Sequence, residues 1–192
     1  MAEIKNIGQK TDEELIVLVL KNQDYFSHII KRYEDKLFRY ISRISNFRKE
    51  DIEDILQDVF IKVYQNLNDF DHGLKFSSWI YRIAHNQVIS VFRKNKSRGI
   101  NNTYGLNDET ANNIASDLNL EKEIDKKILA KNINKILNNL DIKYRDVLAL
   151  KYLEEKSYQE ISYILQKPMG TVAVLINRAK NKFKEEFNNK NI

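Results

Sequence analysis

A predicted helix over residues 77–94 carries the only tryptophan of the chain on the same face as two arginines. Trp79, Arg82, Asn86 and Arg93 coincide on that face at about 100° per residue. The helix then runs into a basic cluster formed by Arg93, Lys94, Lys96 and Arg98. Aromatic rings stack on unpaired bases and cations neutralise phosphates, so this face suits single-stranded or opened nucleic acid. The pattern fits equally well a tryptophan edge packed in a core beside a solvated basic helix end.

The preceding predicted helix has an acidic face with one apolar residue at its centre. Its core-facing stripe recurs at spacings of three and four and comprises Ile52, Ile55, Leu56, Val59, Phe60, Val63 and Leu67. The opposite face holds Asp54, Gln57, Asp58 and Ile61, followed by Gln65. This arrangement indicates a docking face for a protein partner with an apolar anchor. The alternative is an ordinary surface helix with a stray isoleucine, because folded surfaces retain much apolar area.

The C-terminal part of the sequence predicts a helix-turn-helix. Ser157 and Glu160 form a capping-box pattern at the start of a short helix. Lys167-Pro168 then places proline at the first position of a final helix. The inward positions of that helix are Val172, Ile176, Ala179 and Phe183. A short helix, a tight turn and a longer helix are the elements with which many proteins read duplex DNA, although other helical hairpins look similar.

Catalytic patterns are missing from the sequence. The histidines are scattered at positions 28, 72 and 85 without metal-ligand spacing, and no glycine-rich phosphate loop or nucleophile motif occurs. The carboxylates of residues 50, 51, 53 and 54 begin a helix, where acidic residues stabilise the helix dipole. We therefore predict a binding protein that is not an enzyme, with no metal and no cofactor.

The composition sets the fold class that must position these residues. The 192 residues include five glycines, one proline and no cysteine, and strand-like alternation is nearly absent. The formal net charge of +5 leans towards an acidic partner such as nucleic acid. The longest apolar run near the start is too short to span a bilayer and lacks a signal-peptide layout. We predict an all-α protein in the cytoplasm, without a membrane partner.

Two small helical domains joined by a flexible linker account for the order of these elements. The first domain is predicted over residues 11–98, beginning with a capping box at Thr11 and Glu14. Periodicity then fails in a polar stretch with two glycines, which predicts a linker over residues 99–119. The second domain, over residues 120–187, contains the helix-turn-helix.

At this point the chain resembles the sigma-70 family of bacterial RNA polymerase initiation factors, in its compact extracytoplasmic-function (ECF) group. The first domain carries the resemblance in Asp51-Ile52-Glu53-Asp54, Gln57-Asp58-Val59-Phe60 and the run FSSWIYRIAHN from residue 76 to residue 86. The second carries it in Ser157-Tyr158-Gln159-Glu160-Ile161, Pro168-Met169-Gly170-Thr171-Val172 and Asn177-Arg178-Ala179-Lys180. The resemblance covers nearly the whole chain.

The resemblance implies a role for each candidate surface. It implies a sigma factor that binds core RNA polymerase and directs promoter recognition and DNA melting for transcription initiation. The core-binding residues implied are Asp54, Gln57, Asp58 and Ile61. Those implied for the −10 element and melting are Phe76, Trp79, Arg82, Asn86 and Arg93. Those implied for the −35 element are Thr171, Asn177, Arg178 and Asn181. The implied partners are bacterial core RNA polymerase and promoter DNA, with an anti-sigma factor as a candidate partner.

The chain departs from the family pattern in the final helix. After Gly-Thr-Val the family commonly has lysine, serine and arginine, whereas this chain has Ala173, Val174 and Leu175. Val174 points almost directly away from Val172 at helical spacing, which removes base-edge hydrogen bonds and phosphate charge from the DNA-facing side. Apolar contact with thymine methyl groups stays open as another way of reading DNA. Two alternative functions stay open: a helix-turn-helix regulator acting without core polymerase, and a protein-interaction module in which Val174 and Leu175 form the partner surface.

Overall fold

The computed structural model describes residues 7–99 and 133–189, which we call the N-terminal and C-terminal halves. The N-terminal half contains α1 (Asp12–Lys21), α2 (Phe26–Ser45), α3 (Lys49–Gln65) and α4 (Phe76–Ser97). The C-terminal half contains α5 (residues 133–139), α6 (Ile142–Leu148), α7 (Tyr158–Leu165) and α8 (Met169–Asn189). No β-strand occurs in these two halves, which confirms the all-α prediction. Apart from Gly99, the predicted linker lies outside the described residues.

Both predicted capping boxes are present. The Thr11 hydroxyl accepts a hydrogen bond from the Glu14 amide at 3.2 Å, and the Glu14 carboxylate accepts one from the Thr11 amide at 2.8 Å. Ser157 and Glu160 repeat the same exchange at the start of α7. Each box satisfies backbone donors that the first helical turn leaves without partners. The sequence predicted Pro168 as the first residue of the final helix. In the structure α8 begins at Met169, so Pro168 lies one position before the helix.

The helices of the N-terminal half pack their predicted apolar stripes into one core. In α3 the buried residues are Ile52, Ile55, Leu56, Val59, Phe60 and Val63, which matches the predicted stripe. In α2 the buried side chains include Ile29, Leu37 and Ile44, spaced along one face. Asn46 ends α2 in the left-handed region at φ 56°, a conformation that asparagine adopts more readily than most residues.

Side chains of the C-terminal half are in direct contact with the N-terminal half. The Tyr40 hydroxyl of α2 donates a hydrogen bond of 2.8 Å to Asp146 of α6, and both residues are buried. Arg43 of α2 forms an ion pair of 2.7 Å with Glu154, which also accepts a hydrogen bond from Tyr81 of α4. Apolar side chains of both halves join one continuous core. The C-terminal half therefore packs on α2 and α4 rather than standing apart.

A turn of π-helix, Ala149–Leu153, extends α6 and places Glu154 against the N-terminal half. Among the helices of residues 7–99 and 133–189, none combines the length and the apolar character needed to cross a membrane.

Candidate partner and nucleic-acid interfaces

The acidic face of α3 is open to solvent. Asp54, Gln57, Asp58 and Ile61 are all exposed, and Ile61 leaves 54% of its surface accessible. Asp58 accepts a hydrogen bond of 2.7 Å from Gln87, a buried residue of α4, so that carboxylate is held in place on the helix surface. The four residues implied as the core-binding set therefore share one accessible face, which we call the α3 face.

The aromatic residues of α4 lie in the core. Phe76 is fully buried and Trp79 is 6% exposed. Phe70, from the loop between α3 and α4, packs its ring 5.6 Å from Phe76 and 5.3 Å from Trp79, measured between ring centroids. Two interpretations of Trp79 were left open, a stacking surface for unpaired bases and a ring packed in the core. In this conformation the ring is packed in the core. Neither ring offers a free stacking surface here.

The polar residues of α4 that the resemblance implies for melting face the C-terminal half. The Arg82 guanidinium lies over the ring of Tyr163 in α7, 4.6 Å from its centroid, in a cation–π contact. Lys75, just before α4, forms an ion pair of 3.2 Å with Glu160 of α7. Burial alone would raise the pKa of the Glu160 carboxyl, but hydrogen bonds from Ser157 and the Lys75 ammonium lower it to about 2.

Asn86 and Arg93 are exposed and line a cleft of about 490 Å³ between the halves. The remaining lining residues are His85, Ile89, Ser90, Ile142, Lys143, Asp146, Leu165, Gln166 and Lys167. Nδ1 of His85 lies 2.9 Å from Oδ2 of Asp146, a close contact whose geometry is not that of a hydrogen bond. The structure thus splits the set implied for melting: two members are buried, one is engaged with α7, and two remain accessible.

The helix-turn-helix has its second helix exposed along one side. Gln166 ends α7 in the left-handed region at φ 51°, which turns the chain into α8 within three residues. Thr171, Asn177, Arg178 and Asn181 are all exposed on α8. The four residues implied for the −35 element therefore remain available to a partner.

Sequence reasoning missed the residues that join the halves. Asp146, Glu154 and Tyr163 contact side chains that lie 106, 111 and 81 positions away. A charged residue facing the apolar side of a short helix is the one signal that could have identified Asp146, because such a residue requires a buried partner.

Two helical halves with an exposed helix-turn-helix are typical of proteins that bind nucleic acid. The model of sigma-70 region 2 matches residues 29–98, and that of sigma-70 region 4 matches residues 130–183. The ECF RNA polymerase sigma factor SigW of Bacillus subtilis (strain 168) is 34% identical over 175 residues, which cover 86% of this chain and 90% of SigW. The ECF RNA polymerase sigma-E factor of Escherichia coli (strain K12) is 29% identical, covering 90% of this chain and 92% of that protein. The chain belongs to the ECF sigma factors of the sigma-70 family.

Solved structures agree on the fold. CnrH, in complex with the cytosolic domain of CnrY, superposes with a TM-score of 0.67 at 21% identity, covering 93% of this chain and 98% of CnrH. RpoE of Bartonella quintana, in complex with the anti-sigma factor NepR, superposes with a TM-score of 0.65 at 20% identity, covering 85% and 96%.

Proposed function

We propose that this chain binds bacterial core RNA polymerase through the α3 face and directs it to promoters, which it recognises and helps to open. The first domain, predicted over residues 11–98, carries core binding and melting. The second domain, predicted over residues 120–187, reads the distal promoter element. The chain itself is a non-catalytic subunit and acts in the cytoplasm, where the polymerase and its template are.

The exposed isoleucine of the α3 face is the observation that carries this proposal. Ile61 is 54% exposed although α3 buries six other apolar residues, so packing within the chain gives no reason for an isoleucine there. Flanking carboxylates at Asp54 and Asp58 give the face a negative charge. An apolar anchor surrounded by charge is the usual composition of a protein–protein contact, in which the centre is desolvated and the rim polar.

Charge reversal on this face tests the proposal. We expect Asp54→Arg to weaken binding to purified core polymerase by about tenfold to a hundredfold, because a charge-assisted contact contributes about 1.5–3 kcal/mol. Glu34→Arg is the matched control, since Glu34 is also an exposed acidic residue but lies on α2. Both variants should keep the wild-type melting temperature. Equal core affinity of Asp54→Arg and Glu34→Arg would exclude the α3 face as the docking site.

For promoter opening the accessible residues of α4 are the sharper test. Trp79 is buried, so its removal would disturb packing as well as any contact with DNA. Arg93 is exposed, and we expect Arg93→Ala to leave holoenzyme assembly intact while reducing permanganate reactivity of thymines near the start site. Arg82 can act on a separated strand only after Tyr163 of α7 has moved away from it. Phe76 and Trp79 can do so only after their packing against Phe70 has opened. Wild-type permanganate reactivity in Arg93→Ala would remove this residue from the proposed melting surface.

A helix-turn-helix regulator acting without polymerase is the second candidate, favoured by the exposed polar residues of α8. It does not account for the α3 face, which a simple DNA-binding regulator does not need. Run-off transcription from genomic fragments with purified core polymerase separates the two. The sigma factor produces discrete transcripts that core alone does not, whereas the regulator produces none.

An anti-sigma factor is the remaining partner that we propose. Two proteins of the same fold are in complex with partners, CnrH with the cytosolic domain of CnrY and RpoE with the anti-sigma factor NepR. The cleft between the halves, lined by Arg93, Lys143 and Lys167 beside Ile89 and Leu165, has the mixed basic and apolar character that an amphipathic segment would fit.

A further inference from the structure

The outward face of α8 has an apolar centre. Val172, Ile176 and Ala179 are buried, and Val174 on the opposite side is 49% exposed. Met169, the first residue of α8, is 55% exposed. Single apolar residues on a surface are common. These two lie on the first turns of the second helix of a helix-turn-helix, the part that enters the major groove of DNA.

Gly170 lies one helical turn before Val174, on the same face. Glycine weakens a helix relative to alanine, so its presence in α8 calls for a reason. A Cβ atom added at Gly170 would meet nothing within 4 Å, and the residue has no positive φ. Neither packing nor backbone conformation within the described residues requires glycine here.

The charge around this face identifies the class of molecule that approaches it. From Ile161 to Lys184 the chain has no aspartate or glutamate, and its cations are Lys167, Arg178, Lys180, Lys182 and Lys184. An excess of positive charge of this kind attracts phosphate, although Lys182 is paired with Glu185 at 3.0 Å. In the major groove the only apolar group that a base presents is the 5-methyl of thymine.

We propose that Val174 recognises the 5-methyl group of a thymine in the distal promoter element, and that Gly170 allows α8 to approach that base edge. This inference rests on the proposed function and adds the base preference to it. Valine cannot hydrogen-bond to a base, so a guanine or cytosine at that position would leave polar groups without partners. Arg178 and Asn177 flank the contact and supply hydrogen bonds to neighbouring groups.

Replacing thymidine by deoxyuridine tests the contact at the level of one methyl group. A promoter found by run-off transcription is prepared with each thymidine of its distal element replaced in turn by deoxyuridine, which keeps the base pairing. We expect full-length wild-type holoenzyme to bind one of these templates about fourfold more weakly, the equivalent of about 0.8 kcal/mol for one methyl group removed from water. Val174→Ser holoenzyme should bind both templates equally.

A charge variant and a helix variant separate this contact from general effects. Lys180→Ala should weaken binding to the thymidine and deoxyuridine templates by the same factor, because phosphate contacts do not read the base. Gly170→Ala should raise the melting temperature slightly, since alanine favours the helix, and at the same time weaken promoter binding. A variant that is more stable and binds less tightly cannot owe the loss to misfolding.

The outcomes distinguish this inference from the function on which it rests. If no fragment gives a holoenzyme-dependent transcript, the proposed function itself fails. If promoters are found but no deoxyuridine template binds more weakly, the thymine contact is excluded. Retention of the full deoxyuridine effect by Val174→Ser also excludes Val174. Equal promoter binding by Gly170→Ala and wild type excludes the close approach at Gly170.

Discussion

Replacing Tyr40 by phenylalanine removes one hydroxyl group and so tests whether the hydrogen bond from Tyr40 to Asp146 couples the two halves. The Tyr40 hydroxyl is fully buried and donates to Oδ1 of Asp146, which is itself only 4% exposed. Phenylalanine keeps the ring and its packing, so the change is confined to the donor. The carboxylate left behind is buried, and His85 is the other group near it, 2.9 Å from Oδ2.

We expect Tyr40→Phe to lower the free energy of unfolding by about 2 kcal/mol, since a hydrogen bond to a charged group contributes about 1.5–3 kcal/mol. In a protein of this length that corresponds to a fall in melting temperature of about 4–8 °C. Thermal and urea denaturation measure it, and the urea slope shows whether the halves still unfold together. A double-mutant cycle with Asp146→Asn should give a coupling energy of about 1–2 kcal/mol.

Tyr64→Phe is the matched control. Tyr64 is 44% exposed and donates a hydrogen bond of 2.8 Å to Gln23 within the N-terminal half. Loss of that solvent-exposed bond should cost less than about 0.5 kcal/mol. If Tyr40→Phe is no less stable than Tyr64→Phe, the halves are not joined through Asp146 in solution, and the reasoning about their contact is wrong.

Two further predictions concern pH. Because the pKa of Glu160 is lowered to about 2, its contribution to stability is complete above pH 4.5 and is lost as the pH falls towards 2. Glu160→Gln keeps an acceptor for the capping box but loses the charge that pairs with Lys75, so it should cost about 1 kcal/mol at pH 7, and the difference should shrink in acid denaturation series. Burial raises the pKa of Tyr33, Tyr40 and Tyr81 above the ordinary value of 10.0. The contribution of these tyrosines to the free energy of unfolding is present below pH 10 and is lost above it, by up to about 1.4 kcal/mol per pH unit for each tyrosine. Tyr40→Phe should therefore reduce the loss of stability per pH unit that urea denaturation measures at alkaline pH.

Local patterns in the sequence were sufficient to predict where helices begin and which of their faces are buried. The pairs Thr11–Glu14 and Ser157–Glu160 predicted two helix starts, because a capping box depends only on residues three positions apart. The apolar stripe of α3 predicted its buried side in the same way, since helical periodicity assigns a face without reference to the rest of the fold.

The burial of Trp79 could not be predicted in this way. Periodicity placed it on a face with Arg82 and Asn86, away from the main apolar stripe of α4. Phe70, outside the helix, covers the indole and extends the core to that side. A loop aromatic has no periodic position, so its effect on a neighbouring helix becomes visible only in three dimensions. The contacts of Asp146 and Glu154 escaped prediction because their partners lie more than a hundred positions away along the chain.

On the proposed function, the contact of Arg82 with Tyr163 has to open before this arginine can bind a separated DNA strand. A DNA strand that reaches this guanidinium has to displace an aromatic ring that already occupies its face. In the isolated chain only the molecules whose halves have separated can bind a strand through Arg82. The apparent affinity of α4 for DNA is therefore reduced in proportion to that fraction, by a factor of ten for about every 1.4 kcal/mol needed to part the halves. Ile61 bears no such penalty, because it is exposed while the halves remain together. We therefore expect binding to core polymerase through the α3 face to come before any contact of Arg82 with a separated strand.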